Sequence, residues 1–389
     1  MLAVSAANVH GAEWSVDPTF KSRGLYNTNR RLTTASHEGV FGLVTDVGAE
    51  FKLATEASDI AISPMGTINR YSGNQQLDSD DIHLSLDANH RLERAAFGMK
   101  TSYDRESTLT SEVNDTGLVH IQREVNLVGV NPSLTYLFDD QNSVRFDYGY
   151  SNVAYDNAAG TGLFDYTYQN IGATYTHQLS EVQQVFGALT YANFDVSGLQ
   201  STTDSYYARV GYYREFDGKL RLTVSGGGVL SDSTFPVLSI VGNRLATLNQ
   251  DAISKGWIAD FTVEKDFEKT FFRAKYSRSV NPSARGAQAQ ADEVKISLRH
   301  RITEVFDTTA TFRYLQSQTQ QTSGFGGTSL NRDYINAGLA FAYRINRFWS
   351  LIGGYSYTYQ KYQSTSAGAD SNAVTIGLSY SGEKLAISR

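Results

Sequence analysis

The chain has 389 residues, enough for one large domain or two ordinary ones, with 41% hydrophobic residues, 12% aromatics, five prolines and no cysteine. That composition excludes a disordered chain, a disulfide scaffold, cysteine-ligated zinc and thiol chemistry. The balance of 34 basic to 40 acidic residues, net -6 and without a basic stripe, argues against nucleic-acid partners, and no apolar run reaches the ~18 residues of a transmembrane helix.

Residues 1–12, MLAVSAANVHGA, are mostly small and apolar and end in a small-residue context before Glu13. They read as the end of a secretory signal or as a flexible terminus, leaving 13–389 as one domain. From Trp14 onward apolar and polar residues alternate with period two, and no helical stretch intervenes. Strands are predicted near 14–24, 38–54, 58–72, 79–90, 94–106, 118–138, 143–155, 163–178 and 182–195. They continue near 203–216, 218–231, 255–266, 269–280, 290–302, 304–318, 331–346, 348–362 and 372–386.

Particular segments carry the pattern. Ile82, Leu84 and Leu86 oppose His83, Ser85 and Asp87; Val144, Phe146, Tyr148 and Tyr150 oppose Arg145 and Asp147. Further on, Leu220, Leu222 and Val224 oppose Lys219, Arg221 and Thr223, and Phe272, Ala274 and Tyr276 oppose Arg273, Lys275 and Ser277. Side chains alternate faces along a strand, so each segment has one oily and one wet face. The segment 118–138 is long for one strand and predicts an irregular turn near Gly129 and Pro132.

Connections alternate between short turns and longer loops, the latter at 25–37, 73–78, 107–117, 156–162, 196–202, 232–254, 281–289, 319–330 and 363–371. Tight turns at one rim and extended loops at the other predict an all-β fold, a transmembrane antiparallel up-and-down β-barrel of about 18 strands. A propeller would show a four-strand blade repeat, which is missing, and a soluble sandwich would leave faces and edges that no helix covers. Closure also satisfies every backbone group that hydrocarbon would otherwise expose.

In such a barrel the apolar stripes face lipid and the charges between them face inward, because Arg or Lys on the lipid face at midplane costs about 2 to 4 kcal/mol. The expected pore-lining residues are Arg145, Asp147, Arg209, Arg221, Asp260, Glu264, Arg273, Lys275, Arg299, Arg313 and Arg344. Aromatics toward segment ends, Trp14, Tyr26, Tyr71, Tyr103, Tyr155, Trp257, Tyr276, Trp349 and Tyr359, are expected in the interfacial girdles. The longest expected loop, 232–254, carries Phe235, Val237, Leu238, Ile240 and Val241, and is either an insertion that narrows the pore or an extracellular hairpin.

Signs of bond chemistry are weak. His83, Ser85 and Asp87 share a strand face but spread over ~13 Å, too far for a hydrolase relay. Asp78, Asp80 and Asp81 carry oxygens suited to calcium without the spacing of an EF-hand. No phosphate-cradling glycine motif occurs, and neither enzymatic activity nor a cofactor is expected.

Trp14-Ser-Val-Asp-Pro18, Asn69-Arg70-Tyr71 and especially 103–117, YDRESTLTSEVNDTG, together with Tyr155-Asp156 and 165–168, DYTY, through His177, resemble a Gram-negative outer-membrane β-barrel family related to β-barrel porins. Members of that family are often encoded beside exopolysaccharide biosynthesis and export genes. The resemblance implies location in the Gram-negative outer membrane, contact with its lipids, and a channel for passive passage of solutes or export of a polysaccharide. Its alternative is a plugged structural or assembly barrel that docks periplasmic export components. Arg105, Glu106, Ser107, Thr108 and Thr110, which match the family, are expected to shape a loop or rim. One departure is that the chain runs past Tyr380 to Arg389 instead of closing on the terminal aromatic of many such barrels.

Overall fold

Period-two patterning leaves each segment unable to bury its oily face alone, and the chain resolves this by pairing every strand with its sequence neighbours. The computed structural model describes residues 13–389 apart from 36, 74, 114–116, 118–121, 242–243, 320–330 and 389; the expected leader at 1–12 lies outside the described residues. The first half comprises β1 (Glu13–Asn27), β2 (Val40–Ala54), β3 (Ser58–Tyr71), β4 (Ser79–Arg91), β5 (Ala95–Ser107), the single turn of helix α1 (Thr108–Ser111), β6 (Glu124–Leu137), β7 (Asn142–Tyr155), β8 (Tyr166–Ser180) and β9 (Gln183–Val196). The second comprises β10 (Ser201–Phe216), β11 (Leu220–Val241), β12 (Arg244–Asp266), β13 (Thr270–Ser283), β14 (Ala287–Thr303), β15 (Phe306–Thr319), β16 (Arg332–Arg344), β17 (Trp349–Tyr362), β18 (Ala369–Ser381) and β19 (Leu385–Ser388).

All neighbours are antiparallel, and β1 closes the ring by pairing with β2 on one side and with β18 and then β19 on the other. β18 and β19 are one stave interrupted opposite Pro18, so the barrel has eighteen staves. Proline offers no N–H to a ladder. At the break the Gly382 N–H instead donates to the Pro18 carbonyl at 2.8 Å. Pro64 and Pro132 likewise lie where a ladder skips, between the pairs Gly48–Met65 and Phe51–Ile62, and between Val130–Tyr150 and Ser133–Asp147. The predicted irregularity near Pro132 is therefore a skipped pairing inside a continuous strand, not a turn, and that strand starts at Glu124 instead of 118.

The exterior is a wide apolar band. Leu189 and Val210, midway along β9 and β10, are 67% and 70% exposed, as the lipid-facing side of a barrel requires. Both margins of the band are aromatic. On the long-loop side a repeated device marks the margin: Tyr103 donates to Asn126, Tyr148 to Gln169, Tyr191 to Asp204, Tyr276 to Asp292, Tyr314 to Asp333 and Tyr355 to Asn372. In each pair the ring lies on the strand entering a loop and the acceptor on the strand leaving it. An amphipathic ring at the headgroup level, with its hydroxyl held on the wet side, suits this position.

Opposite, the Trp349 and Tyr380 rings meet at 5.0 Å, tilted by 51°, and the Tyr175 hydroxyl donates to Asn142. Asp139, in the turn between β6 and β7, accepts from the Asn142 side chain and from the Gln141 and Asn142 N–H groups, which hold its carboxyl below the ordinary range. The band, the two girdles and the closed wall identify a barrel of the Gram-negative outer membrane, with the long loops outside and the tight turns in the periplasm. Tyr71 and Tyr155 depart from their expected girdle positions: both are 7% exposed and pack into clusters at the mouth, because they stand on the opposite alternation from the belt residues.

Of the two readings of the segment 232–254, the strands form the hairpin. β11 and β12 stay paired without a slip from Leu220–Lys265 to Val241–Arg244, so its oily residues belong to a tall hairpin. Beneath it, the wall needs Gly227. A Cβ there would meet the Ala208 carbonyl oxygen at 2.0 Å and the Arg209 Cα at 2.8 Å, both backbone atoms that have no way to swing aside. Gly227→Ala is therefore expected to destabilise the barrel by ~1–3 kcal/mol, read as a lower urea midpoint for unfolding from detergent micelles.

Candidate functional site

Register places all eleven expected lumen residues on the alternation opposite the belt. Arg145 and Asp147 alternate with exposed Phe146 and Tyr148, Arg209 with Tyr206 and Val210, and Arg344 with Leu339 and Tyr343. Ten of them are joined in ion pairs, mostly across strands. Asp260 takes Arg209 at 2.8 Å and Lys275 at 3.7 Å; Glu264 takes Arg221 at 3.4 Å and Arg273 at 3.2 Å. Arg145 reaches Asp147 at 2.7 Å, Arg313 reaches Glu293 at 2.6 Å, and Arg299 reaches Asp307 at 4.0 Å. Side chains such as Arg145, Arg273 and Arg299 remain more than half exposed at the height of the apolar band. Charges at that height are tolerated where they are paired or reach water.

The inner charges are unevenly spread. From β10 to β15 arginine and lysine predominate, with Lys295 and Arg301 added to the expected set. Across the barrel, β2 to β5 present Asp46, Glu50, Asp87, Asp104 and Glu106 against fewer bases, among them Lys52 and Lys100. Between these arcs, β8 and β9 carry inner-face Tyr168 and Phe186, followed on β10 by Tyr207 and Tyr213. Lys295 and Arg301 belong to the same alternation as Arg299, so the sequence stripe already contained them.

Among the described residues, two inserts narrow the mouth. The first follows β5, and its described residues are α1, Glu112, Val113, Gly117, Gln122 and Arg123. Ser107 caps α1 by accepting from the Leu109 N–H, and Leu109, 1% exposed, anchors it against Tyr71 and Leu77. The insert then crosses the lumen: Glu112 accepts the Tyr155 hydroxyl proton of β7 at 2.6 Å, while Arg332 of β16 donates to the Val113 carbonyl at 3.1 Å. β7 and β16 stand on opposite sides of the eighteen-stave ring. Gln360 of β17 binds both the Gly117 carbonyl and Arg332, each at 3.1 Å.

The second insert is the tip of the β13–β14 hairpin. Gln288 donates to Ser205 at 2.9 Å and accepts from Ser231 at 3.1 Å on the inner faces of β10 and β11, and the Phe164 N–H donates to the Ala284 carbonyl at 2.8 Å. Arg285 hydrogen-bonds Tyr362 on β17. Gly286 turns the tip with φ of 80°, and a Cβ there would strike Leu199 at 2.2 Å. Glu112 lies within the 103–117 motif, which gave no hint of its partner, and no motif or stripe marked Arg332, Gln360 or Gln288, since their meeting depends on where two loops fold.

The two weak chemical groupings dissolve into structural contacts. His83 pairs with Asp104 at 2.8 Å on the next strand and Asp87 with Lys100 at 3.3 Å, so His83 and Asp87 do not form a relay. Asp78 accepts the Tyr71 N–H, Asp80 pairs with Arg70, and Asp81 accepts from Asn69 and the Ser107 N–H. Their oxygens are spent on protein donors. Arg105, on the exterior rim, pairs with Glu124.

No protein-family model matches the chain, and no curated protein sequence does. Among solved structures it is similar to the ferric citrate transporter FecA in its unliganded form, at 10% identity and a TM-score of 0.49, over 89% of this chain and 60% of that one. It is also similar to Pseudomonas aeruginosa OccK2 (OpdF) in complex with glucuronate, at 9% identity and 0.48 over 95% and 98% of the two chains. A third is the anion-selective porin from Comamonas acidovorans, at 12% identity and 0.40 over 95% and 100%. The chain thus spans 60% of the length of FecA and nearly all of the other two.

Proposed function

We propose that the protein is a passive channel of the outer membrane, its conduit lined by Arg145, Asp147, Arg209, Arg221, Asp260, Glu264, Arg273, Lys275, Arg299, Arg313 and Arg344. The observation that carries this reading is the set of partly exposed, paired charges on the inner alternation at the height of the lipid belt. Such charges need an aqueous interior, and an eighteen-stave ring is too wide for side chains alone to fill. Selectivity then comes from fixed charge and width, with no bond chemistry. Purified protein added to a planar bilayer is expected to give discrete conductance steps. Silence under conditions where a known porin conducts would overturn the reading.

The finer reading is passage of a sugar or polysaccharide. It is supported by Phe186, Tyr213, Tyr207 and Tyr168, rings on three adjacent strands that offer apolar faces beside a polar wall. Graded current block by soluble oligosaccharides, weakened in Tyr213→Ala, is the expected result; block that is unchanged in that variant would exclude these rings. The alternative, a closed barrel docking a periplasmic export complex, is favoured by the inserts across the mouth and predicts a silent bilayer with a partner recovered from the periplasm.

Glu264 gives a separate test of the lining. It is the shared acceptor of Arg221 and Arg273, so Glu264→Gln leaves two guanidinium groups less compensated. Reversal potentials in a KCl gradient are expected to move toward anions by roughly two-fold in permeability ratio. An unchanged ratio would place Glu264 away from the ion path.

A further inference from the structure

The wall of this barrel parts above one pair of residues. β12 and β13 are laddered from Asp266–Phe271 up to Ala259–Arg278 and no further. Above that point β12 keeps β11 as partner to the tip, while its other edge, from Arg244 to Ile258, has no strand beside it among the described residues. β13 continues to Ser283 but passes inside. Val280, which unbroken alternation would aim outward beside Trp257, is instead buried against inner-face Val229 and Ile258, and its carbonyl accepts the Tyr207 hydroxyl at 3.4 Å. The hairpin tip is therefore tucked beneath β10–β12, and the mouth is narrower than eighteen staves would make it.

A row of unpaired backbone donors and acceptors is a template for another strand, and the strand whose register already fits is β13 itself. Continuing the existing ladder would set Ser279 beside Ile258, Val280 beside Trp257 and Asn281 beside Gly256. We propose that the β13–β14 tip is a gate with two seats: tucked inside, where it narrows the channel, and zipped onto the free edge of β12, where it completes the wall and widens it.

Both seats are satisfied by contacts of similar kind. Inside, the tip holds the Gln288 bonds to Ser205 and Ser231, the Phe164–Ala284 backbone bond, the Arg285–Tyr362 bond, the Val280 cluster and a second cluster in which Ala284 packs against Val125, Val153 and Leu163. On the wall it gains ladder bonds, but Pro282, which falls beside Lys255, supplies no N–H and shortens the ladder. The hinge is defined from below. Arg278 lies over the Trp257 ring at 4.0 Å and pairs with Asp292 at 3.3 Å, which fixes the base of the hairpin in either seat. A gate of this design needs two arrangements close in free energy, and a tip held inside by a few polar bonds and two small apolar clusters, against the ladder bonds gained on the wall, is placed to meet that condition.

The proposal rests on the channel reading, and cysteine pairs separate the two. Gly256→Cys with Asn281→Cys bridges only the wall seat, while Val263→Cys with Ala274→Cys bridges a register that is paired in either seat and reports folding. Mild oxidation in outer membranes is expected to link both pairs, the first more slowly, and Gln288→Ala is expected to speed the first by loosening the tucked seat. In bilayers, the oxidised Gly256→Cys/Asn281→Cys protein should conduct more than its reduced form. Ser231→Cys with Gln288→Cys, joined by a short bis-thiol-reactive linker, should conduct less. Failure of the Gly256–Asn281 pair to link while the control pair links completely would overturn the two seats. Linkage that leaves conductance unchanged in an active channel would overturn the gating role. Linkage in a protein that never conducts would uphold the seats and reject the channel.

Discussion

Replacing residues 109–122 by a short Gly-Ser turn is expected to raise single-channel conductance by at least about two-fold, since the narrowest part of a path dominates its resistance. The substitution is compatible with the wall. β5 and β6 end opposite each other at Ser107–Glu124, so a short turn closes them as one closes any hairpin. What is lost is the bridge from the Val113 and Gly117 carbonyls to Arg332 and Gln360, leaving those two buried side chains open to water. Arg332 is 1% exposed in the intact mouth, and freeing it adds a hydrated cation to the conduit. Conductance equal to that of the intact protein, from a variant with an unchanged urea midpoint, would mean that ions do not pass the mouth across this insert.

Leu189→Arg, on the lipid face midway along β9, is expected to cost about 2–4 kcal/mol of folding stability in bilayers. Its side chain stands between Ala173 on β8 and Ala208 on β10, both too small to shelter a guanidinium, and an arginine there has no acceptor within the belt. The neighbouring position is the control. Thr190 points to the opposite side, beside Gly172, and Thr190→Arg is expected to cost less than about 1 kcal/mol because its charge reaches water. Urea titrations of both variants folded into phosphatidylcholine vesicles measure the difference. Equal costs would mean that the two faces do not differ in polarity and would remove the basis for an aqueous lumen.

The wall was readable because its rule is local. Arg145 and Asp147 beside Phe146 and Tyr148 are enough to tell which side chains share a face, whatever lies across the barrel. The aromatic margins were only partly readable: Tyr103 and Tyr276 reach the girdle, whereas Tyr71 and Tyr155, equally near strand ends, turn inward to pack under the mouth. The tall β11–β12 hairpin was one of two readings left open for 232–254, since its oily residues, Phe235 to Val241, break the simple alternation that marks a belt strand.

The sequence by itself determined the strand number, the order of long loops and tight turns, and which residues alternate to each face, because a strand's two-residue period fixes these through covalent neighbours alone. Only the tertiary structure decided what occupies the mouth. Glu112 meets Tyr155, Arg332 meets Gly117 and Gln288 meets Ser205 through contacts between residues 43, 215 and 83 positions apart, after two loops have folded inward and the wall has parted beside β12. Contacts of that kind depend on how loops pack against a finished barrel, and no periodicity along the chain records them.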